Sequence, residues 1–212
     1  MKFPVLTILL IFILILAYYI KKSNSKIKEN DENFWAKEHE ANFTRKKDLS
    51  DIHFIHVPEE ITQIEEDCTS TDAMELYKQL ITYKTQGKKS ADFNGITNTD
   101  LKLKYGAGNL ALLSEYDKNY SDLIMILDRL SAVLTEEGKM KSAETILEFA
   151  TDSGTDICSS YTRLADIYIQ TGKRNNIHLL IKKADTKQSF RTPAIIRALN
   201  EKLDNTDPLK NI

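Results

Sequence analysis

The chain of 212 residues carries 29 Lys+Arg against 31 Asp+Glu, and three of its lysines (Lys2, Lys21, Lys22) fall in the first 22 residues, which hold no acid. The rest of the chain therefore has 26 bases against 31 acids, a net of −5. An acidic body lacks the basic stripe of a nucleic-acid binder, two cysteines are too few for a disulfide framework, and 7 Gly with 4 Pro argue against a turn-rich all-β chain.

Residues 3–20, FPVLTILLIFILILAYYI, contain no charge. At about 1.5 Å per residue they make roughly 27 Å of helix, near the 30 Å of a bilayer's hydrocarbon core. Pro4 sits in the first turn, where its missing N–H costs no bond. Tyr18 and Tyr19 suit an interfacial belt, and Lys21 and Lys22 stop the run. No small-x-small cleavage site and no lipidation cysteine follow, so an uncleaved single-pass transmembrane helix is expected rather than a signal peptide. Lys21, Lys22, Lys26 and Lys28 outweigh Lys2, which places the soluble domain in the cytoplasm. The widely separated Cys68 and Cys158 fit that compartment as reduced thiols.

Residues 21–50 read as a charged juxtamembrane stalk, with Phe34, Trp35 and Phe43 as its large apolar groups. The alternative is that Trp35 and Arg45-Lys46-Lys47 touch anionic headgroups, although acids at 29, 31, 32, 38 and 40 dilute that charge. Residues 51–120 read as an irregular helical segment with a short extended belt. Ile52 to Val57 is β-branched and aromatic, and Pro58 closes it. Ser70 or Thr71 can cap a helix reaching about Gln86, where Gly87 ends it. Residues 88–98 read as loop. A helical pattern restarts at Asp100, is interrupted by Gly106-Ala107-Gly108, and leaves 109–116 of uncertain form.

From residue 121 the chain repeats itself with a period of 34. Leu127 meets Tyr161, Leu130 meets Leu164, Leu134 meets Tyr168, Gly138 meets Gly172, and Ala150 meets Ala184. Apolar residues recur at three- and four-residue spacing, and each glycine falls where a first helix must stop and reverse. The expected pairs are 121–137 with 139–153 and 156–171 with 174–186, capped by Ser121 and Asp156, with Gly154 as a stop. Thr192 and Pro193 begin a further helix, and 205–212 form a tail.

LDRLSAVLTEEGKMKSAETILEFA (127–150) and YTRLADIYIQTGKRNNIHLLIKKA (161–184) resemble the tetratricopeptide repeat. Ala143 fits that family's small second-helix position and Ile177 departs from it; Thr155 and Ser189 stand where a proline often closes each unit. The resemblance covers about a third of the chain. It implies an all-α hairpin stack over 121–204, with the last helix as its cap and the first helix of each pair lining a concave surface. Met125, Asp128, Ala132, Ser159, Thr162, Asp166 and Asn200 are then the partner-binding positions. Asp128 and Ala132 replace the Lys and Asn with which some relatives grip a C-terminal carboxylate, so a neutral or basic protein segment is the expected partner.

Catalytic and metal constellations are not evident. His53 and His56 would point to opposite faces of a regular extended segment, too far apart in direction for one ion. Cys68 and Cys158 have no neighbouring base, Gly106-x-Gly108 follows no strand, and the acid pairs lie on polar faces. No cofactor and no metal are expected. The sequence thus leads to a bacterial membrane-anchored adaptor or scaffold that binds a protein partner, is not an enzyme, and can form homo-oligomers. Rival readings are the same architecture outside the cell, in envelope assembly, and an enzyme using a pocket in 50–116.

Overall fold

The computed structural model describes residues 3–187 and 189–206, without the side chains of 3–7, 10 and 23–29. The described residues are all-α and contain no strand. The helices are α1 (Phe3–Phe43), α2 (Glu59–Thr62), α3 (Thr71–Thr85), α4 (Asn98–Tyr105), α5 (Leu110–Glu136), α6 (Met140–Asp152), α7 (Cys158–Gln170), α8 (Asn176–Thr186) and α9 (Thr192–Asn205). They fall into two compact units, one of residues 1–49 with 97–110 and one of 50–96 with 111–212.

In the first unit the end of α1 packs on α4. Lys102 Nζ donates to Glu38 and to Asn42 Oδ1 (2.7 Å), Thr99 Oγ1 donates to Glu38 Oε2 at 2.6 Å, and Lys37 pairs with Asp100 at 2.6 Å. Beyond α1 the backbone closes on α4's end, with Lys47 N–H donating to Tyr105 O (2.9 Å) and Ala107 N–H to Thr44 O (3.1 Å). This approach requires Gly106, whose φ is +91° and whose Cβ, if it had one, would meet Arg45 O at 2.2 Å.

The apolar start of α1 bears on the expected membrane span. Ile11 to Ile20 are described and outward-facing, while the side chains at 3–7 and 10 lie outside the described residues. Among the described residues no helix is long and apolar enough to cross a membrane. The helix continues unbroken to Phe43, so most of the stalk, residues 21–43, is one helix with the apolar run. The Arg45-Lys46-Lys47 cluster is not three free bases, because Lys47 Nζ donates to Leu103 O at 2.8 Å.

The second unit buries one continuous core formed by residues of the 57–68 segment, α3 and α5 to α9. The 34-residue register survives in three dimensions. Helices α5 and α7 end 34 residues apart, and α7 and α9 begin 34 apart. Gly138 and Gly172 share φ = +74°, and the next residue in each case bonds back across the helix end, Lys139 N–H to Leu134 O (2.8 Å) and Lys173 N–H to Tyr168 O (2.7 Å). That bond supplies a partner to a terminal carbonyl, and the left-handed turn it needs is open to glycine without strain. At the two positions without the family's proline, hydroxyls make the turn. Thr155 Oγ1 accepts from Ile157 N–H (3.1 Å) and Ser189 Oγ from Arg191 N–H (3.3 Å).

Several expected boundaries are corrected. Helix α5 runs through the region left uncertain at 109–116, so Ser121 is mid-helix and caps nothing; its buried Leu113, Tyr116 and Tyr120 extend the apolar stripe backwards at helical spacing. Helix α7 starts at Cys158, and Asp156 instead accepts from Ser189 Oγ at 3.0 Å. Helix α8 starts at Asn176 because 174–175 form turns, and the departing Ile177 is fully buried in the core. Helix α4 begins two residues before Asp100, capped by Thr97. Ser70 caps α3, accepting from Ala73 N–H at 3.1 Å. The belt 52–58 is extended but unpaired as a strand, with Ile52 and Val57 buried and Ile55 N–H donating to Ser90 O. Of the tail 205–212, residues from 207 onward lie outside the described residues.

Two predictions follow from this packing. Gly106→Ala is expected to destabilise the first unit by about 3 kcal/mol, combining left-handed strain with a backbone clash. Gly172→Ala, whose Cβ would meet nothing within 4 Å, should cost only about 1 kcal/mol. Hydrogen exchange at Lys47 and Ala107 amides reads the first and a thermal melt the second; equal costs would contradict the close approach. The core's acidic hydrogens set a pH dependence. Burial pushes the Cys68 thiol up to about 11, helped by Glu137 and Asp67, and the Tyr161 hydroxyl up to about 12. The folded chain then keeps protons that the unfolded chain releases above about 9 for the thiol and 10 for the phenol, so stability is complete at neutral pH and falls above about pH 9. Melting temperatures that stay flat to pH 11 would refute this assignment.

Candidate functional site

The expected concave positions do not form one open surface. The Asp128 carboxylate, on α5, accepts from Ser159 Oγ (3.0 Å), Ser160 Oγ (2.8 Å) and Arg163 Nη1 (3.0 Å), all on α7. Arg163 also reaches Ser131 Oγ at 3.1 Å. Asp128 and Ser159 are thus spent joining two helices, in a half-buried ion pair whose loss would strand a charge. Thr162 Oγ1 donates to Ser159 O within its own helix. Asp166 pairs with Lys202 at 2.5 Å, tying α7 to α9. Ala132 is half-buried. Asn200 lies on a separate shallow hollow with Thr192, Ile196 and Glu201.

Met125 is different. It is 47% exposed and lines a groove of about 550 Å³ whose walls are α3 and the middle of α5. The spacing explains the groove: on α3, Ala73, Tyr77, Leu80 and Tyr83 turn into the core, leaving Glu75, Lys78, Gln79 and Thr82 outward. On α5, Leu123, Ile124, Leu127 and Leu130 turn inward, leaving Asp122, Met125 and Arg129 outward. Half-buried Leu76 and Ile126 complete an apolar floor. Lys78, Lys88, Asp122 and Arg129 form no ion pair with a described residue, so the groove's charges are free to meet a ligand.

Tyr83 is the groove residue that sequence reasoning missed. The residue is only 5% exposed, it lines the groove, and its hydroxyl has no hydrogen-bond partner among the described residues. Burial first, and the Asp122 carboxylate second, push that hydroxyl up to about 12, so it stays protonated and able to donate. Lys88 Nζ lies over the Tyr83 ring, 5.9 Å from its centroid. The other core tyrosines are satisfied: Tyr77 donates to Thr62 O (2.7 Å), Tyr120 to Gly154 O (2.7 Å) and Tyr161 to Thr155 O (3.1 Å). Nothing in the sequence singles Tyr83 out; its unpartnered hydroxyl sets it apart from the other tyrosines of this core.

The remaining sequence candidates offer less. His53 and His56 line one hollow with Asp92 and Asp152. Both carboxylates there are committed to lysines, Asp92 to Lys187 and Asp152 to Lys183. Among the described residues no group of three His, Cys, Asp or Glu is placed to hold a metal ion. Cys68 is buried, and its raised pKa is the reverse of thiol activation; Cys158 is half-buried.

Comparison of the chain with family models, with curated proteins and with solved structures returns no match. The functional reading therefore stands on the groove and the repeat alone. One prediction separates a structural from a ligand-directed role for Tyr83. Removing a buried hydroxyl that has no partner relieves its desolvation, so Tyr83→Phe is expected to leave stability unchanged or raise it by about 1 kcal/mol. A denaturant titration that finds a loss of similar size would assign the hydroxyl to the fold.

Proposed function

We propose that the chain is a membrane-anchored adaptor: residues 3–20 of α1 lie in a bilayer, and the tetratricopeptide-like second unit holds a segment of a partner protein. The observation that carries this reading is the α3/α5 groove, whose free charges and exposed Met125 contrast with the neighbouring acids already paired across helices. The shared turns at Gly138 and Gly172 support a divergent tetratricopeptide stack of two pairs with α9 as its cap. The outward-facing apolar run Ile11–Ile20 and the lysines beyond it support an anchor with the body on the cytoplasmic side. A non-catalytic role suits a groove whose charged side chains, Glu75, Lys78, Lys88, Asp122 and Arg129, are solvent-facing.

The test is a photo-crosslinking residue placed in the full chain at Met125 or, as control, at the exposed Leu179 of α8, in cells that produce the protein. Membrane pellets washed with alkaline carbonate should retain the chain, and Met125 should form a defined protein adduct that Leu179 does not. Release of the chain into the wash would overturn the anchor. Identical patterns at both positions would overturn the groove.

A further inference from the structure

We infer that the α3/α5 groove selects a peptide segment bearing an acidic side chain beside an aliphatic one, read along the segment rather than at its end. This rests on the groove being a protein-binding site and adds the chemistry of what it binds.

The Tyr83 hydroxyl supplies the first argument. It is a buried donor with no acceptor among the described residues, and a ligand oxygen gains that bond only where a groove side chain moves to expose it. Charge supplies the second. Lys78, Lys88 and Arg129 face Glu75 and Asp122, so cations are in excess on the groove although the body as a whole is acidic. A positive groove on a negative body attracts an anionic segment and repels a basic one. The acids that would favour a basic partner, Asp128 and Asp166, are already held by Arg163 and Lys202.

The apolar floor fixes the neighbour. Met125 presents a flexible thioether surface that adapts to an aliphatic side chain. The wall of α3 runs from Glu75 to Gln86, roughly 16 Å along the helix axis, which spans several peptide residues. A carboxylate on a side chain within the segment therefore reaches the cations, and a free chain terminus is not required.

The experiment uses the full chain in phosphatidylcholine nanodiscs and fluorescence anisotropy. The probes are short labelled peptides, blocked at both ends, that alternate Leu with Glu, Gln or Lys. The Glu peptide should bind about tenfold more tightly than the Lys peptide, with the Gln peptide between them. Arg129→Glu should weaken the Glu peptide about tenfold, and Tyr83→Phe about threefold without lowering the melting temperature. Equal binding of the Lys peptide, no binding of any peptide, or an unchanged affinity in Arg129→Glu would overturn the inference, as would competition by phosphatidylglycerol liposomes. If the acid preference fails while Met125 still crosslinks to a protein in membranes, the adaptor reading survives without this chemistry. If both fail, the groove itself is not a docking site.

Discussion

A helix that reverses within a few residues leaves its last carbonyls without partners, and burying such an end costs more than most side-chain contacts return. The second unit meets this constraint with one solution used repeatedly. After α5 and α7 an amide donates five residues back into the helix, from Lys139 to Leu134 and from Lys173 to Tyr168; after α6 Thr155 does the same to Ala150. The connections differ in length, three residues between α5 and α6 and five between α7 and α8, but the same back-bond closes α5 and α7. Leu127, Leu130 and Leu134 can then stack on Tyr161, Leu164 and Tyr168 in one core. The register and the core are two aspects of the same backbone requirement.

Regular stacking also decides which polar groups remain available. Bringing α5 against α7 places Asp128 where three α7 donors converge, and bringing α7 against α9 does the same for Asp166 and Lys202. Half-buried acids at such seams need partners, since an unpaired charge there is costly. The helix pairs therefore consume the polar residues that line their shared face. Where α3 takes the place of a regular partner beside α5, no such exchange occurs, and Lys78, Asp122 and Arg129 stay free. The open site lies at the break in the repeat.

That division explains what could be read in advance. The all-α class, the reversal points at Gly138 and Gly172 and the buried stripes were legible because periodicity and left-handed turns are local properties. The start of α5 was not, because Gly106-Ala107-Gly108 just before it reads as a break, although Leu110 to Leu113 are good helix formers and Leu113 and Tyr116 are buried. Of the expected groove residues, Met125 lines the groove, while Asp128, Ser159 and Asp166 became cross-links. Sequence places a residue on a face of a helix; whether a partner side chain waits there depends on the neighbour. Tyr83 shows the converse, since an aromatic at a core spacing announces nothing about whether its hydroxyl is satisfied.

The groove's composition is costly to the chain on its own, and that cost is informative. A buried hydroxyl without an acceptor and a thioether left half in water both lower stability, and cations on an acidic body without pairing add little. The hydroxyls of Tyr77, Tyr120 and Tyr161 in the same unit are satisfied, whereas Ser90 Oγ, like the Tyr83 hydroxyl, is buried without a partner among the described residues. Tyr83, the exposed Met125 and the Arg129 guanidinium line one groove of about 550 Å³. A ligand that brings an acceptor, an aliphatic group and a negative charge together answers all of them at once. A groove of this composition lowers folding stability in a way that an occupant of matching chemistry would offset.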